Sequence, residues 1–199
     1  MTVWSYKISR DYGFAPNPFF GFCTVACCKP GIRKGAKLGD LIVGCGSTAL
    51  NLEGKMIFAM IVEEKLSFDE YWQDERFLKR RPSFQASRAL MYGDNIYHSD
   101  GRNNWEQSDS HHSYDDGRIN TDNADRDLKA NAVLVSTNFS YFGDQAVNIP
   151  SHLRNFEGDD LYPHIRDFRN GYSEIMQEAV FDWYNSLPRG RLGRPNSWK

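Results

Sequence analysis

The residues best equipped for chemistry are gathered in one stretch. Tyr92-Gly93-Asp94-Asn95-Ile96-Tyr97-His98 is followed by Trp105, Gln107, Ser108, Asp109, Ser110, His111, His112 and Ser113, so that three of the five histidines fall here. An imidazole beside a carboxylate is a general base with a built-in orienter, and His98 or His111 paired with Asp94 or Asp109 would serve. His98, His111 and His112 with a carboxylate could instead hold a divalent metal. Adjacent side chains diverge in an extended chain, so His111 and His112 do not readily aim at one ion and no metal is expected. The same polar groups, with the nearby aromatics, could also bind a base or sugar without reacting. The bland alternative is a polar loop held by its own Asx and Ser turns. Residues 115–131 read as an acidic, solvated connection.

Two further constellations could complete such a site. Lys29, Arg33, Lys34 and Lys37, with Lys79, Arg80, Arg81 and Arg88, could neutralise phosphates or form solvated basic faces. The run Tyr12-Gly13-Phe14-Ala15-Pro16-Asn17-Pro18-Phe19-Phe20 carries more aromatics than a solvated loop needs, suiting either a core plug or a stacking surface. Gly44-Cys45-Gly46-Ser47 lacks the GK[ST] ending of a phosphate loop. The four cysteines, Cys23, Cys27, Cys28 and Cys45, match no paired CxxC spacing, and their apolar neighbours suit burial.

The elements that must position these groups follow from periodicity. Residues 3–9 alternate as a strand with one buried face, Leu41–Gly46 and Met56–Val62 are apolar strands joined by a hairpin, and Ala132–Thr137 is another strand. Ser67-Phe68-Asp69-Glu70 is a capping box opening a helix through about Phe77. Residues 29–37 read as a basic loop. Tyr172, Ile175, Met176, Ala179, Val180, Trp183, Tyr184 and Leu187 recur at helical spacing, giving a C-terminal amphipathic helix over about 172–187 that Pro188 and Gly190 stop, before a basic tail ending at Lys199. The fold class is α+β, with a curved or barrel-like, mainly antiparallel sheet and flanking helices in a single domain over residues 1–199.

The 199 residues are 40% hydrophobic and 25% charged, which excludes a wholly disordered chain. A net charge of -2 provides no global field for polyanions. No apolar run approaches the ~20 residues of a membrane helix. The N-terminus lacks a signal peptide's basic start and apolar stretch, so the expected location is the cytoplasm. Composition says nothing of oligomeric state.

Several of these segments together resemble a known family. They are Tyr12–Phe19, Cys28-Lys29-Pro30 with Ile32-Arg33, Gly39-Asp40 with Gly44, Phe68–Trp72, Gly93–His98 and Ser110–Ser113. Across roughly residues 3–150 they look like the nucleotide modification associated domain 2 family. The resemblance implies a role near modification of nucleobases in DNA or free nucleotides, as in phage and bacterial conflict systems. The Leu38-Gly39-Asp40 turn, two strands and a short helix are also similar to PUA-like folds, small β-barrels some of which read modified bases.

Three functional readings follow, none needing a cofactor. In the first, the protein binds and helps process a modified nucleobase or nucleotide: Asn95, Tyr97, Ser110 and His112 supply hydrogen bonds, Trp105 or Tyr12, Phe14, Asn17 and Phe19 pack on the base, and Lys29 and Arg33 meet phosphate. In the second, it is an enzyme using His98, His111, Asp94 and Asp109 in acid–base chemistry on a nucleotide or its sugar. Both expect His98, Asp94 and Arg33 to converge on one pocket. The third is a non-enzymatic partner protein that uses the C-terminal helix and the basic tail.

Overall fold

In the computed structural model, residues 1–102, 104–165 and 167–198 are described. Among them the first half forms β1 (Val3–Ile8), β2 (Cys23–Val25), α1 (Pro30–Gly35), β3 (Leu41–Gly46), β4 (Lys55–Ile61), β5 (Glu64–Leu66), α2 (Phe68–Gln73), α3 (Arg88–Met91) and β6 (Tyr97–Ser99). The second half adds β7 (Trp105–Gln107), α4 (Thr121–Asp127), β8 (Val133–Ser136), β9 (Phe139–Tyr141), β10 (Val147–Asn148), α5 (Ser151–Arg154), β11 (Phe168–Arg169), α6 (Glu174–Ser186) and β12 (Gly190–Arg191). The class is α+β, as the periodicity predicts.

The elements pack as two compact units, each assembled from separated stretches of chain. The first comprises residues 1–12, 36–63 and 136–199. Its sheet runs β11-β1-β3-β4-β9-β12, with β10 added on β4. The order is open, with β11 and β12 at its ends, and it is mixed: β1 pairs β3 in parallel and β12 pairs β9 in parallel, whereas β3/β4 and β4/β9 are antiparallel. A closed barrel is therefore not what these described strands form.

The expected one-sided β1 is buried on both faces: Val3 packs into the cluster that includes α6, and Trp4, Tyr6 and Ile8 on the opposite face are buried as well. Its polar side chain is satisfied internally: the Ser5 and Tyr172 hydroxyls are 2.6 Å apart. On β3, Gly44 leaves room for a neighbouring ring, since a Cβ there would sit 2.2 Å from the Phe58 side chain. Ser173 caps α6, accepting the Met176 N–H at 3.2 Å. Met176, Val180 and Tyr184 then bury one stripe of α6 against Val3, Val43 and Met56. That stripe is core, so it is not free as a partner surface. In the tail, Arg189 stacks over Tyr184 at 4.0 Å, and Lys199 lies outside the described residues.

The second unit comprises residues 13–35 and 64–135. It contains the sheet β2-β8-β5, the hairpin β6-β7 and helices α1 to α4. The capping box forms as expected, with Ser67 and Glu70 bonded reciprocally. The helix it opens stops at Gln73, and Asp74 caps a separate 3-10 turn over Glu75–Arg80. The basic loop of residues 29–37 is in fact largely α1. Proline suits a first helical position, where no N–H is needed, and the chain enters through positive φ at Cys28 and Lys29. Residues 115–131 also depart from expectation. They hold α4, capped by Asn120, which accepts the Asn123 N–H at 3.1 Å and puts Ala124 and Asp127 on a buried face. Phe14, Phe68, Tyr71, Phe77, Ile96 and Tyr97 form the centre of this unit's core.

Candidate functional site

Two buried carboxylates organise the second unit. The first is Asp94, 1% exposed. Its oxygens accept from the Thr24 hydroxyl and, at 2.9 Å, from the Tyr71 hydroxyl. The Arg80 guanidinium is 3.5 Å away and equally buried. Arg80 also donates to Thr24 Oγ1 at 2.7 Å, Asn17 Oδ1 at 2.8 Å and the Phe22 carbonyl at 2.8 Å. Burial pushes the Asp94 carboxyl up, although Arg80 and the two hydroxyls pull it down. Asn95 beside it donates to the Tyr71 carbonyl at 2.9 Å. This network ties α2, the 3-10 turn and the Asn17 loop together.

The second carboxylate is Asp127, 0% exposed. Its Oδ1 accepts the Cys28 N–H at 2.8 Å, and its Oδ2 accepts from the Tyr97 hydroxyl at 3.1 Å and from His112 Nδ1 at 2.7 Å. The other ring nitrogen of His112, Nε2, is 3.7 Å from Cys28 Sγ. Burial opposes a charge on His112, but the bonds to Asp127 and Cys28 outweigh it and push its pKa up to about 9. Burial alone would likewise raise Asp127; the bond to His112 and its charge hold the carboxyl below its ordinary range. The two directions agree on an imidazolium–carboxylate pair at neutral pH.

Arg33 fixes this arrangement from behind. It is fully buried and donates to the Cys28 carbonyl at 2.8 Å and to the Ala130 and Ala132 carbonyls at 2.6 and 2.8 Å. It thereby ties the segment just past the end of α4 to the Cys28 turn. Burial lowers its pKa.

Beside these networks lies a cleft of about 310 Å³, a size suited to a small ligand. Phe84, Met91, Tyr92 and Tyr114 give it apolar and aromatic walls, and Asp109, Ser110, His111, Ser113 and Asp115 give it acceptors and hydroxyls. Phe84 and Tyr114 are 51% and 46% exposed, with the Arg118 guanidinium 5.9 Å from the centre of the Tyr114 ring. The Tyr92 and His111 rings meet edge-on at 5.2 Å. The cleft adjoins the Asp127 network. Ser110, on its wall, accepts the His112 N–H at 3.2 Å, and the Phe14 ring touches both His111 and His112.

The residues singled out from the sequence are thus divided. Asp109, Ser110 and His111 line the cleft; His112, Tyr97 and Arg33 belong to the Asp127 network; Asp94 and Asn17 belong to the Arg80 network. His98 stacks on Trp72 at 4.0 Å and faces Glu106 at 3.5 Å. Trp105 packs edge-on against Phe68, and Phe19 is buried. The Lys29 carbonyl accepts the Arg33 N–H in α1, while Tyr12 lies in the first unit. His98, Asp94 and Arg33, expected to converge, have separate partners, and none of the three lines the cleft. Two of the eight basic residues weighed as phosphate ligands, Arg33 and Arg80, have their guanidinium groups buried against protein acceptors.

Sequence reasoning missed Asp127, Cys28, Thr24 and Tyr71. A signal existed for Asp127: Asn120 is a capping residue, and Ala124 and Leu128 follow at four-residue spacing. Cys27, His112 and Asp127 offer ligand atoms within 4.8 Å of one another, compact enough to test against a cation. The donor chemistry fits poorly. Burial, with Asp127 and Asp94, pushes the Cys27 thiol well above its ordinary value, so it stays protonated, and the Asp127 oxygens already accept three hydrogen bonds.

With this geometry in view, the comparison with known families is decisive about kinship. The nucleotide modification associated domain 2 model matches residues 1–199, and the chain belongs to that family. The match extends through α6 and the tail, beyond the motifs visible in the sequence. It places the protein among those involved in nucleotide modification. No curated protein and no solved structure matches the chain. No helix among the described residues is long and apolar enough to cross a membrane.

Proposed function

We propose that the protein binds the base moiety of a nucleoside, nucleotide or nucleic acid in the Tyr92 cleft, as the recognition step of a base modification. The observation that carries this reading is the composition of the cleft. The exposed aromatic side chains of Phe84 and Tyr114 suit stacking on a planar ring, and the Asp109 and Asp115 carboxylates suit its polar edge. No Lys or Arg is among the described lining residues, whereas two carboxylates are, so phosphate would point away from it. The carboxylates favour a base edge rich in amino donors. His111 and Asp109 stay in this reading as groups that touch the ligand. Neither a PUA-like barrel nor a conflict-system role is needed for it.

The test is a binding panel of deoxynucleosides, their 5′-monophosphates and a single-stranded oligonucleotide. Binding of at least one base is expected, weakened about fivefold or more by Tyr114→Ala, since one stacked base is worth ~1–3 kcal/mol, and weakened also by Asp109→Asn. Equal binding by wild type and both variants would remove the cleft from the account.

A further inference from the structure

We infer that the cleft takes a nucleobase with a fixed positive charge, the kind produced when an alkyl group sits on a ring nitrogen such as N7 of guanine, N1 of adenine or N3 of cytosine. This rests on the base-binding reading above and names the chemical class of base.

Three aromatic rings reach the cleft from separate places in the second unit. Phe84 comes from the loop before α3, Tyr92 from the residue just after it, and Tyr114 from the turn that precedes α4. Two carboxylates, Asp109 and Asp115, stand among these rings. The Tyr114–Arg118 turn holds them on one side. It is closed by the Gly117 N–H on the Tyr114 carbonyl at 2.9 Å, and a Cβ at Gly117 would sit 3.4 Å from the Asp109 carboxyl group. Arg118 lies over the Tyr114 ring at 5.9 Å, but its guanidinium is paired with Asp116 at 2.7 Å. Asp109 and Asp115 are thus left without a Lys or Arg partner among the described residues.

Each part of this lining favours a cationic ring over a neutral one. An aromatic face carries negative charge density, so it attracts a positive ring beyond the stacking that any base obtains. A carboxylate accepts hydrogen bonds and offers none, so it repels the carbonyls and bare ring nitrogens of a neutral base. Alkylation covers one such lone pair and leaves a charge that needs no proton. The same charge makes the neighbouring amino N–H groups stronger donors to Asp109 or Asp115. A Lys or Arg in the wall would cancel the preference, and none is among the described lining residues. The ring gains its charge when the nitrogen lone pair bonds the alkyl group and loses it when that group leaves. Charge therefore separates the modified base from its parent, which is the distinction a recognition step in base modification has to make.

Calorimetric titration of the full chain compares 7-methylguanosine, 1-methyladenosine and 3-methylcytidine with guanosine, adenosine and cytidine, in neutral buffer of low ionic strength. At least one methylated nucleoside should bind ~5-fold or more tightly than its parent, the gain expected from cation–π attraction together with an exposed ion pair. N6-methyladenosine, which carries the methyl group without the charge, should bind like adenosine. The preference should narrow at high salt and shrink to within about twofold in the Asp109→Asn/Asp115→Asn double variant, whose exposed positions leave the fold intact. Choline, a cation with no base ring, should bind ~10-fold more weakly than the preferred nucleoside. Parents bound as tightly as their methylated forms in all three pairs, a preference that survives the double substitution, or choline bound as tightly as any nucleoside overturns the inference. If the neutral parents bind without preference, the base-binding reading stands; if no nucleoside binds, it falls as well.

Discussion

Asp94 and Asp127 are both sealed from solvent within the same unit, yet their surroundings push them in opposite directions. Asp94 meets two hydroxyls and a guanidinium that is itself fully buried, and burial raises its carboxyl. Asp127 meets an imidazole directly, and the pair it forms holds its carboxyl low. The difference lies in what stands behind each partner. Arg80 leads to Asn17, Thr24 and loop carbonyls, and through Asn17 it reaches the cleft wall at the Tyr92 carbonyl, with no titratable group on the way. His112 leads to the partly exposed Cys28 and to the cleft wall at Ser110. What separates the two is a titratable partner with a second face toward a partly exposed group.

The largest effect that separates the two is on folding. Asp94→Ala leaves the Arg80 charge buried without its carboxylate and should destabilise by about 3–5 kcal/mol, read from urea unfolding. A loss under ~1 kcal/mol would mean that the Asp94 network is not structural.

A somewhat smaller effect is expected from pH. The folded pKa of His112, about 9, is above its ordinary value of 6.5, so its contribution is complete below about pH 6.5 and is lost as pH rises through 9. Asp127 is lowered, so its contribution is present above its ordinary value of 3.8 and is lost as acid protonates it. The pair thus supports the fold between about pH 4 and 9, and on the order of 3 kcal/mol should disappear on the alkaline side. Thermal unfolding from pH 6 to 10 measures this, and His112→Gln should flatten the alkaline decline. An unchanged decline in that variant assigns the effect elsewhere.

Tyr92→Ala should weaken base binding by ~1–3 kcal/mol, and also lower Tm, since the half-buried ring packs against the core of its unit. His98→Ala sits at the bottom of the scale. With its ring on Trp72 and away from the cleft, it should change stability by under about 0.5 kcal/mol and binding not at all. A binding loss comparable to that of Tyr92→Ala would restore His98 to the ligand site.

Much of the scaffold was legible because its signals are local. The α6 stripe, the Ser67 capping box and the apolar β3 and β4 each declare themselves within a few residues. The site was legible only in outline. The stretch around Ser110 and His111 does line a cleft, but the pairings of Asp94 with Arg80 and of His112 with Asp127 join residues in different elements, beyond the reach of local periodicity. Asp127 is hidden further by its neighbours. Asp122, Asp125 and Arg126 make the segment look solvated, and only the helical turn of α4 carries Asp127 inward. Arg33 was equally ambiguous: a basic residue in a Pro-Gly-rich segment suits phosphate contact, and its use as a clamp depends on carbonyls about a hundred residues away.

The measurement that bears most directly on the central claim is an NMR titration of the full chain with deoxynucleosides, following the ring signals of Tyr92, His111 and Tyr114. The account predicts saturable shifts in these rings for at least one base, with the His98 and Trp72 rings unmoved. Shifts confined to His98 and Trp72, or no saturable shift with any base, would contradict it.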